Sequence, residues 1–558
     1  MKPLPIGISD YKEIIETDCY YVDKTVLIQE ILSFKDKVTL LCRPRRFGKT
    51  LNLSMLKYFF EQSPVSRVHL FQDKLVWAHE SARAHQGKYP VIFISFKDVK
   101  SITFQEAYEN ITLLIGKEFA RHHSVIAPLL KEHQEKRVAS IIEGTASVTV
   151  YQESLLLLSE LLFQAQNKQV VLLLDEYDTP IHAAYTNGYY NQMVAFIKTI
   201  FGKVLKDNVY LERGVLTGIL RTAKEGIFSD LNNLTVCTLL SNEYADKFGF
   251  TEEEVVQLIK DQDLNLPIEK VAAWYNGYNA GDSTLIYNPW SILMCARQRG
   301  DLKPYWSNTS GNDILRELII KSSNDIKKEL ELLLQHTQFD KTIEESFTFS
   351  DIIYSHNALW SLLFFSGYLT YSQRVLTEQG KYRCSLRLPN HEVEGIYRDF
   401  IETIFSQTFC QGGSLHEFLR ALIAGDVIIL QHLLQEFVIN SMSFHDIDAA
   451  QPERSYHLFV LGLLVTLTGT YQVRSNRESG YGRYDIMLIP IDTTQPGVVI
   501  EFKKALSQGL EQAADAALEQ IADKRYVQEL HALGITEVRS YGIAFEGKQV
   551  LVKQGHVS

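Results

Sequence analysis

Arg43-Pro44-Arg45-Arg46-Phe47-Gly48-Lys49-Thr50 is the stretch on which the fold of this chain turns. An apolar run, Val38-Thr39-Leu40-Leu41-Cys42, leads into it. A segment with helical spacing, Leu51 to Gln62, follows. Strand, turn, Gly-Lys-Thr and helix is the layout of a nucleotide phosphate-binding loop. In such a loop the N–H groups of the turn and of the helix N-terminus face the phosphates, the lysine reaches the β- and γ-phosphates, and the threonine hydroxyl sits on Mg²⁺. On this reading Arg46, Phe47, Gly48, Lys49 and Thr50 bind ATP, and Thr50 is also a metal ligand. The generic pattern has a glycine five residues before Gly48, where this chain has Arg43. For the loop alone, a plain strand-to-helix turn with a basic rim is the competing reading.

A second stretch downstream weighs against that competitor. Val170-Val171-Leu172-Leu173-Leu174 runs into Asp175-Glu176. Five consecutive apolar residues suit a central parallel strand covered on both faces. Its carboxyl end is where open α/β sheets bind ligands. Asp175 is expected to hold Mg²⁺ and to belong to the nucleotide site. Glu176 is expected to orient or deprotonate the attacking water. A further strand, Val209 to Gly218, ends in Thr217, which is expected to sense the γ-phosphate. Arg221 beyond it fits two readings, a cation on the transferring phosphate or a surface arginine in an interface. A helix over Asp23–Leu32 precedes the loop, and a buried strand over Tyr89–Phe96 and helical pattern over 104–166, broken near Gly144–Val150, lie between the loop and Val170.

Length and composition set the frame. A chain of 558 residues is expected to hold about three or four domains. Apolar content of 46% and charged content of 22% are those of a soluble globular protein. A net charge of −11 argues against a basic surface all round, though not against a local basic groove. Six cysteines are scattered without CxxC or Cys/His zinc spacing, as in a protein that keeps reduced thiols. No apolar leader and no run of about 18 apolar residues is seen, so no membrane segment and a cytoplasmic location are expected.

A second centre of chemistry lies near the C-terminus. Tyr471–Arg474, Gly482–Ile489 and Val498–Lys503 read as strands, preceded and followed by helical pattern, in the order α-β-β-β-α. Residues two apart share a strand face, so Glu501 and Lys503 point the same way, with Asp485 on the neighbouring strand. Two carboxylates and a lysine can bind Mg²⁺, activate water and stabilise charge at a phosphodiester. Asp485 and Glu501 are the expected metal ligands, and Lys503 orients water or neutralises phosphate. A solvated strand edge is the competing reading of Glu-x-Lys. The apolar Val498-Val499-Ile500 before it favours a central strand. Arg474, Arg477, Arg483, Lys503, Lys504, Lys524 and Arg525 are either phosphate contacts or a solvated rim.

Asp23-Lys24-Thr25, the Arg43–Thr50 run, Tyr89-Pro90-Val91-Ile92, Leu174-Asp-Glu-Tyr-Asp-Thr-Pro-Ile181 and Leu216-Thr-Gly-Ile-Leu-Arg221 together resemble the bacterial AAA-ATPase-like family. In that family the ATPase domain is fused to a C-terminal PD-(D/E)XK nuclease-superfamily domain. The likeness covers about residues 5–240 and, at the C-terminus, about 440–545. Arg43 matches the family's own loop. Trp274-Tyr-Asn-Gly-Tyr278 also resembles the family. Its aromatic residues fit a packed core or, as the alternative, a base-stacking platform. The resemblance implies an extra acidic residue at Glu453, with Glu478 as its rival, and a helix-borne polar pair, Gln520 and Tyr526.

The expected fold class is therefore α/β. It comprises a P-loop NTPase core over 1–240 with a parallel sheet and helices on both faces, a helical lid over 241–330 and a mostly helical connector over 331–440. An α/β restriction-endonuclease-like domain follows over 441–558. The expected function is an ATP-binding, ATP-hydrolysing regulator coupled to a Mg²⁺-dependent DNA nuclease. The rival is a nucleotide switch whose nuclease fold binds nucleic acid or a protein partner without cutting. A homo-oligomer is compatible with either, and no membrane association is expected.

Overall fold

The computed structural model describes residues 1–221, 227–228, 231–306, 324–348, 351–408, 415–441, 462–463, 467, 469–479, 482–505, 509–547 and 549–555. The chain divides into two compact units, Met1–Gly311 with Asp340–Val393, and Asn312–Phe339 with Glu394–Ser558.

The first unit is built on a five-stranded parallel sheet. Its strands are β1 (Val38–Cys42), β2 (Val91–Ser95), β3 (Val170–Asp175), β4 (Leu211–Gly218) and β5 (Leu234–Cys237), in the spatial order β2-β3-β4-β1-β5. Every residue of β1 and of β3 is buried, as their unbroken apolar runs require when helices cover both faces. Register does the positioning. Ser95 pairs with Asp175, and Thr217 with Leu41, so β2, β3 and β4 end level with the loop that leaves β1.

Helix boundaries shift from the sequence reading for local reasons. The first predicted helix begins at Val26 rather than Asp23. Asp23 is occupied as an acceptor, taking the Thr25 N–H and hydroxyl on one oxygen and the Leu75 N–H on the other. The 104–166 region breaks at 143–147 as expected, and again at Ala127–Leu129, where Pro128 removes a backbone donor. Thr251 closes a capping box with Glu254 on helix Glu252–Asp261.

Strands also interrupt the regions read as helical. β6 (Tyr278–Ala280) and β7 (Thr284–Ile286) form a hairpin. β8 (Phe339–Ile343), β9 (Thr370–Leu376) and β10 (Tyr382–Arg387) form a sheet in the order β8-β10-β9. The Trp274–Tyr278 run straddles the end of helix Ile268–Tyr275 and the start of β6. Gly277 makes that switch at φ +99°, and a Cβ there would lie 2.1 Å from the Pro389 carbonyl oxygen. Tyr275, Tyr278 and Tyr287 are fully buried, so these rings are core.

A buried acid fastens this block. Glu392 is fully buried, accepting the Ser291 hydroxyl at 2.7 Å and the Trp306 N–H at 2.7 Å. Burial pushes its carboxyl from 4.5 up to about 7. The unfolded chain therefore releases this proton first as pH rises. The stability Glu392 contributes is complete below about pH 4.5 and is lost as pH rises to about 7, roughly 3 kcal/mol in all. Glu392→Gln should abolish that slope. Guanidinium unfolding midpoints at pH 5 and pH 7.5 check it, and identical wild-type and variant slopes would refute it.

The second unit carries a mixed sheet, β11 (Tyr471–Ser479), β12 (Gly482–Pro490), β13 (Gly497–Lys504), β14 (Val538–Glu546) and β15 (Gln549–Gly555), in chain order. β13 and β14 are parallel, and the other pairs are antiparallel. The sequence reading stopped at the helix after β13 and did not separate β14 and β15. Helix Leu510–Asp523 packs on the sheet so closely that a Cβ on Gly542 would meet the Ala514 carbonyl at 2.4 Å. The helical pattern expected before β11 falls largely outside the described residues, as does Glu453. Among the described residues no helix is long and apolar enough to cross a membrane.

Candidate functional site

Two sites take shape, one in each unit. At the carboxyl edge of the first sheet, three hydroxyls converge on Asp175. Thr50 donates to Oδ2 at 2.9 Å, Ser95 to Oδ2 at 3.0 Å, and Thr217 to Oδ1 at 2.7 Å. Asp175 is fully buried, and burial pushes its carboxyl above the usual range against these hydrogen bonds. The next residue, Glu176, stands at φ +49°, a left-handed turn off the strand, and its N–H reaches the Thr217 hydroxyl at 3.3 Å. Glu176 Oε2 accepts from the Thr179 hydroxyl at 3.2 Å. Lys49, Thr50, Asp175, Glu176 and Thr217 thus come from three chain segments to one edge.

The loop's arginines divide their tasks. Arg43 is fully buried and donates to the carbonyls of Cys42, Cys237 and Tyr244 at 2.9, 3.1 and 2.9 Å. Its side chain bolts the loop's first turn to the end of β5 rather than presenting charge to a ligand. Burial lowers it to about 10. Lys49 donates to the Arg43 and Pro44 carbonyls at 3.0 and 2.8 Å. Burial holds its ammonium below the ordinary lysine value, opposed by Glu176, Asp178 and Asp175. Gly48, at φ +80°, starts the helix Lys49–Phe60. Phe47 is buried and packs edge-on to Tyr278 at 5.1 Å. Arg46, at φ +69°, lays its guanidinium over the Trp290 ring at 4.6 Å.

Arg221 follows the exit of β4. Asp178 fixes that exit, accepting the Ile219 and Leu220 N–H groups at 2.7 and 3.1 Å, while the Tyr177 hydroxyl donates to the Leu220 carbonyl. Among the described residues no hydrogen bond or ion pair joins Arg221 itself to Asp175, Glu176 or Lys49.

In the second unit, Glu501 and Lys503 share one face of β13, as their spacing requires. Lys503 Nζ donates to Glu501 Oε1 at 3.3 Å and to Gln520 Oε1 at 2.5 Å, and Gln520 Nε2 returns a bond to Glu501 Oε1. Gln520 sits on helix Leu510–Asp523. Tyr526 lies past that helix, at the start of the next, with its hydroxyl 3.3 Å from Gln520 Nε2. Asp485 Oδ2 accepts the Phe502 N–H at 2.8 Å, which brings the β12 carboxylate beside β13. Glu501 is 3% exposed, and its Oε2 is buried with no hydrogen-bond partner among the described residues. Burial, then the Asp485 charge, pushes Glu501 up to about 7 against Lys503.

A buried carboxylate oxygen without a partner, beside a second carboxylate, fits a divalent cation. The wider basic rim is mixed. Lys504, Lys524 and Arg525 are exposed, whereas Arg474 is held by Glu529 at 2.6 Å. The side chains of Arg477, Glu478 and Arg483 lie outside the described residues. Sequence reasoning missed Ser95, Asp178 and Trp290. The signal for Ser95 was weak: a serine ending an apolar strand, noticeable once that strand is placed next to β3.

Comparison with known proteins agrees with these two regions. Residues 5–228 match the family model described as a predicted AAA-ATPase, and residues 451–555 match that of the PD-(D/E)XK nuclease superfamily. A protein of Azotobacter chroococcum mcd 1, described as an uncharacterized protein in the vnfD 5′ region, is 27% identical over 555 residues, covering 96% of this chain and 94% of that protein. The chain therefore carries an AAA-ATPase-like domain over residues 5–228 and a PD-(D/E)XK nuclease-superfamily domain over residues 451–555.

Proposed function

We propose that the chain binds and hydrolyses ATP in its N-terminal unit and that nucleotide occupancy governs a Mg²⁺-dependent phosphodiesterase acting on DNA in its C-terminal unit. The observation that carries the reading is the buried Oε2 of Glu501, which has no hydrogen-bond partner among the described residues, next to Asp485 and Lys503 in a chain that also has a Gly-Lys-Thr loop. Glu501 and Asp485 hold the metal of the second site, and Thr50 and Asp175 hold that of the nucleotide. At each site Mg²⁺, when bound, neutralises charge on phosphate oxygens. Lys49 leaves the Arg43 and Pro44 carbonyls for the β- and γ-phosphates. Thr217 hydrogen-bonds the γ-phosphate side of the site, and Glu176 accepts a proton from the attacking water. Arg221 supplies positive charge toward the transferring phosphate. At the second site Lys503 neutralises the scissile phosphate, with Gln520 fixing its position. The protein works in the cytoplasm, and DNA meets the exposed Lys504, Lys524 and Arg525.

The competing reading is a nucleotide switch whose nuclease fold binds nucleic acid or a protein partner without cutting. Plasmid incubated with Mg²⁺, with and without ATP, separates the two readings. Nicking or linearisation that Asp485→Ala abolishes supports the nuclease. Intact plasmid under every metal and nucleotide supports the switch.

A further inference from the structure

The guanidinium of Arg46 is mounted on a ring from well outside the phosphate loop. Trp290 stands in the first turn of helix Pro289–Arg297. Its N–H is capped by Asn288 Oδ1 at 3.0 Å, and its indole N–H donates to the Tyr305 carbonyl at 3.3 Å. The next residue, Ser291, is tied to the buried Glu392. The ring therefore has little freedom, and Arg46 rests over it at 4.6 Å. Arg46 also lies within electrostatic reach of Glu176. Of the loop's other cations, Arg43 donates to three carbonyls and Lys49 to two, while Arg45 is half-buried. Stacking occupies the face of a guanidinium, whereas its donors lie in its plane, so a stacked arginine can still hydrogen-bond phosphate oxygens.

We propose that Trp290 is a positioning residue of the nucleotide site: it holds Arg46 so that this arginine contacts the terminal phosphate and makes the site prefer a nucleoside triphosphate to a diphosphate. The inference rests on the nucleotide-site reading above. Holding the side chain before the ligand arrives lessens the rotamer entropy lost on binding. The preference follows from the extra charge-assisted bonds that only a terminal γ-phosphate can accept.

The test is binding of fluorescent ATP and ADP analogues, with Mg²⁺, to the full chain. Arg46→Ala should weaken ATP about tenfold and ADP by less than about twofold. Trp290→Ala should lose about three- to tenfold of the same selectivity, and Trp290→Phe, which keeps an aromatic face, should restore most of it. A merely structural role for Trp290 would move both nucleotides together and would lower the unfolding midpoint. Should Trp290→Ala fail to fold, Arg46→Ala and Trp290→Phe decide. Wild-type selectivity in Arg46→Ala, equal losses for ATP and ADP, or a wild type that does not discriminate, each overturns the inference. If wild type binds neither nucleotide, the nucleotide-site reading itself falls and this inference with it. If Lys49→Ala alone abolishes binding while Arg46 and Trp290 variants match wild type, only this inference falls.

Discussion

Lys503→Ala should lower Mg²⁺-dependent plasmid cleavage by about 10²–10³-fold while leaving the fold intact. The lysine side chain is about one-third exposed, so its removal opens no core cavity. Its ammonium meets Glu501 on the same strand face and Gln520 from helix Leu510–Asp523, where charge on a scissile phosphate would develop. Removing it also takes a positive charge away from a buried carboxylate, so Glu501 should become harder to ionise. Lys503→Arg keeps the charge but not the point geometry, and should recover only part of the rate. Rates from supercoiled-plasmid nicking and a thermal midpoint check both halves. Cleavage within about threefold of wild type would remove Lys503 from the chemistry.

The second large effect concerns Glu176. Glu176→Gln should reduce ATP turnover by about 10²–10⁴-fold, with ATP affinity changed only a few-fold. Glutamine keeps an acceptor for the Thr179 hydroxyl, and the backbone turn at φ +49° is unaltered in its demands. What it lacks is a carboxylate able to take a proton. The neighbouring Asp175 cannot substitute, because its oxygens are already engaged by Thr50, Ser95 and Thr217. Phosphate release under saturating ATP gives the rate, and binding of a fluorescent analogue gives the affinity. Equal losses in both would mean that Glu176 builds the pocket rather than serving the reaction.

Much of the framework was legible in the sequence because local and global demands agree there. Val170–Leu174 has no polar interruption, which suits a strand covered on both faces, and the two acids that follow fall at its carboxyl end. Glu501 and Lys503 were legible as a same-face pair because strand period fixes their direction. Other features depend on contacts between distant segments. Glu392 looks like one more acid on a helix, and only its packing against Ser291 and Trp306 makes it a buried fastener. Arg43 stands where the generic loop has a glycine, and only the fold shows that the carbonyl of Tyr244 and the end of β5 claim it. Trp290 reads as an ordinary core aromatic until the loop's Arg46 is found on its face. β14 and β15 escaped because a helix-to-strand return after β13 leaves no motif, only alternating burial such as Val550 and Val552 around the Gly547 turn.

Control of the second site by the nucleotide site is measured by the rate of Mg²⁺-dependent plasmid cleavage by the full chain with and without ATP, for wild type, Lys49→Ala and Asp485→Ala. The wild-type rate should change with ATP, Lys49→Ala should cut at a rate that ignores ATP, and Asp485→Ala should not cut. Cleavage by wild type and Lys49→Ala that responds identically to ATP would contradict such control.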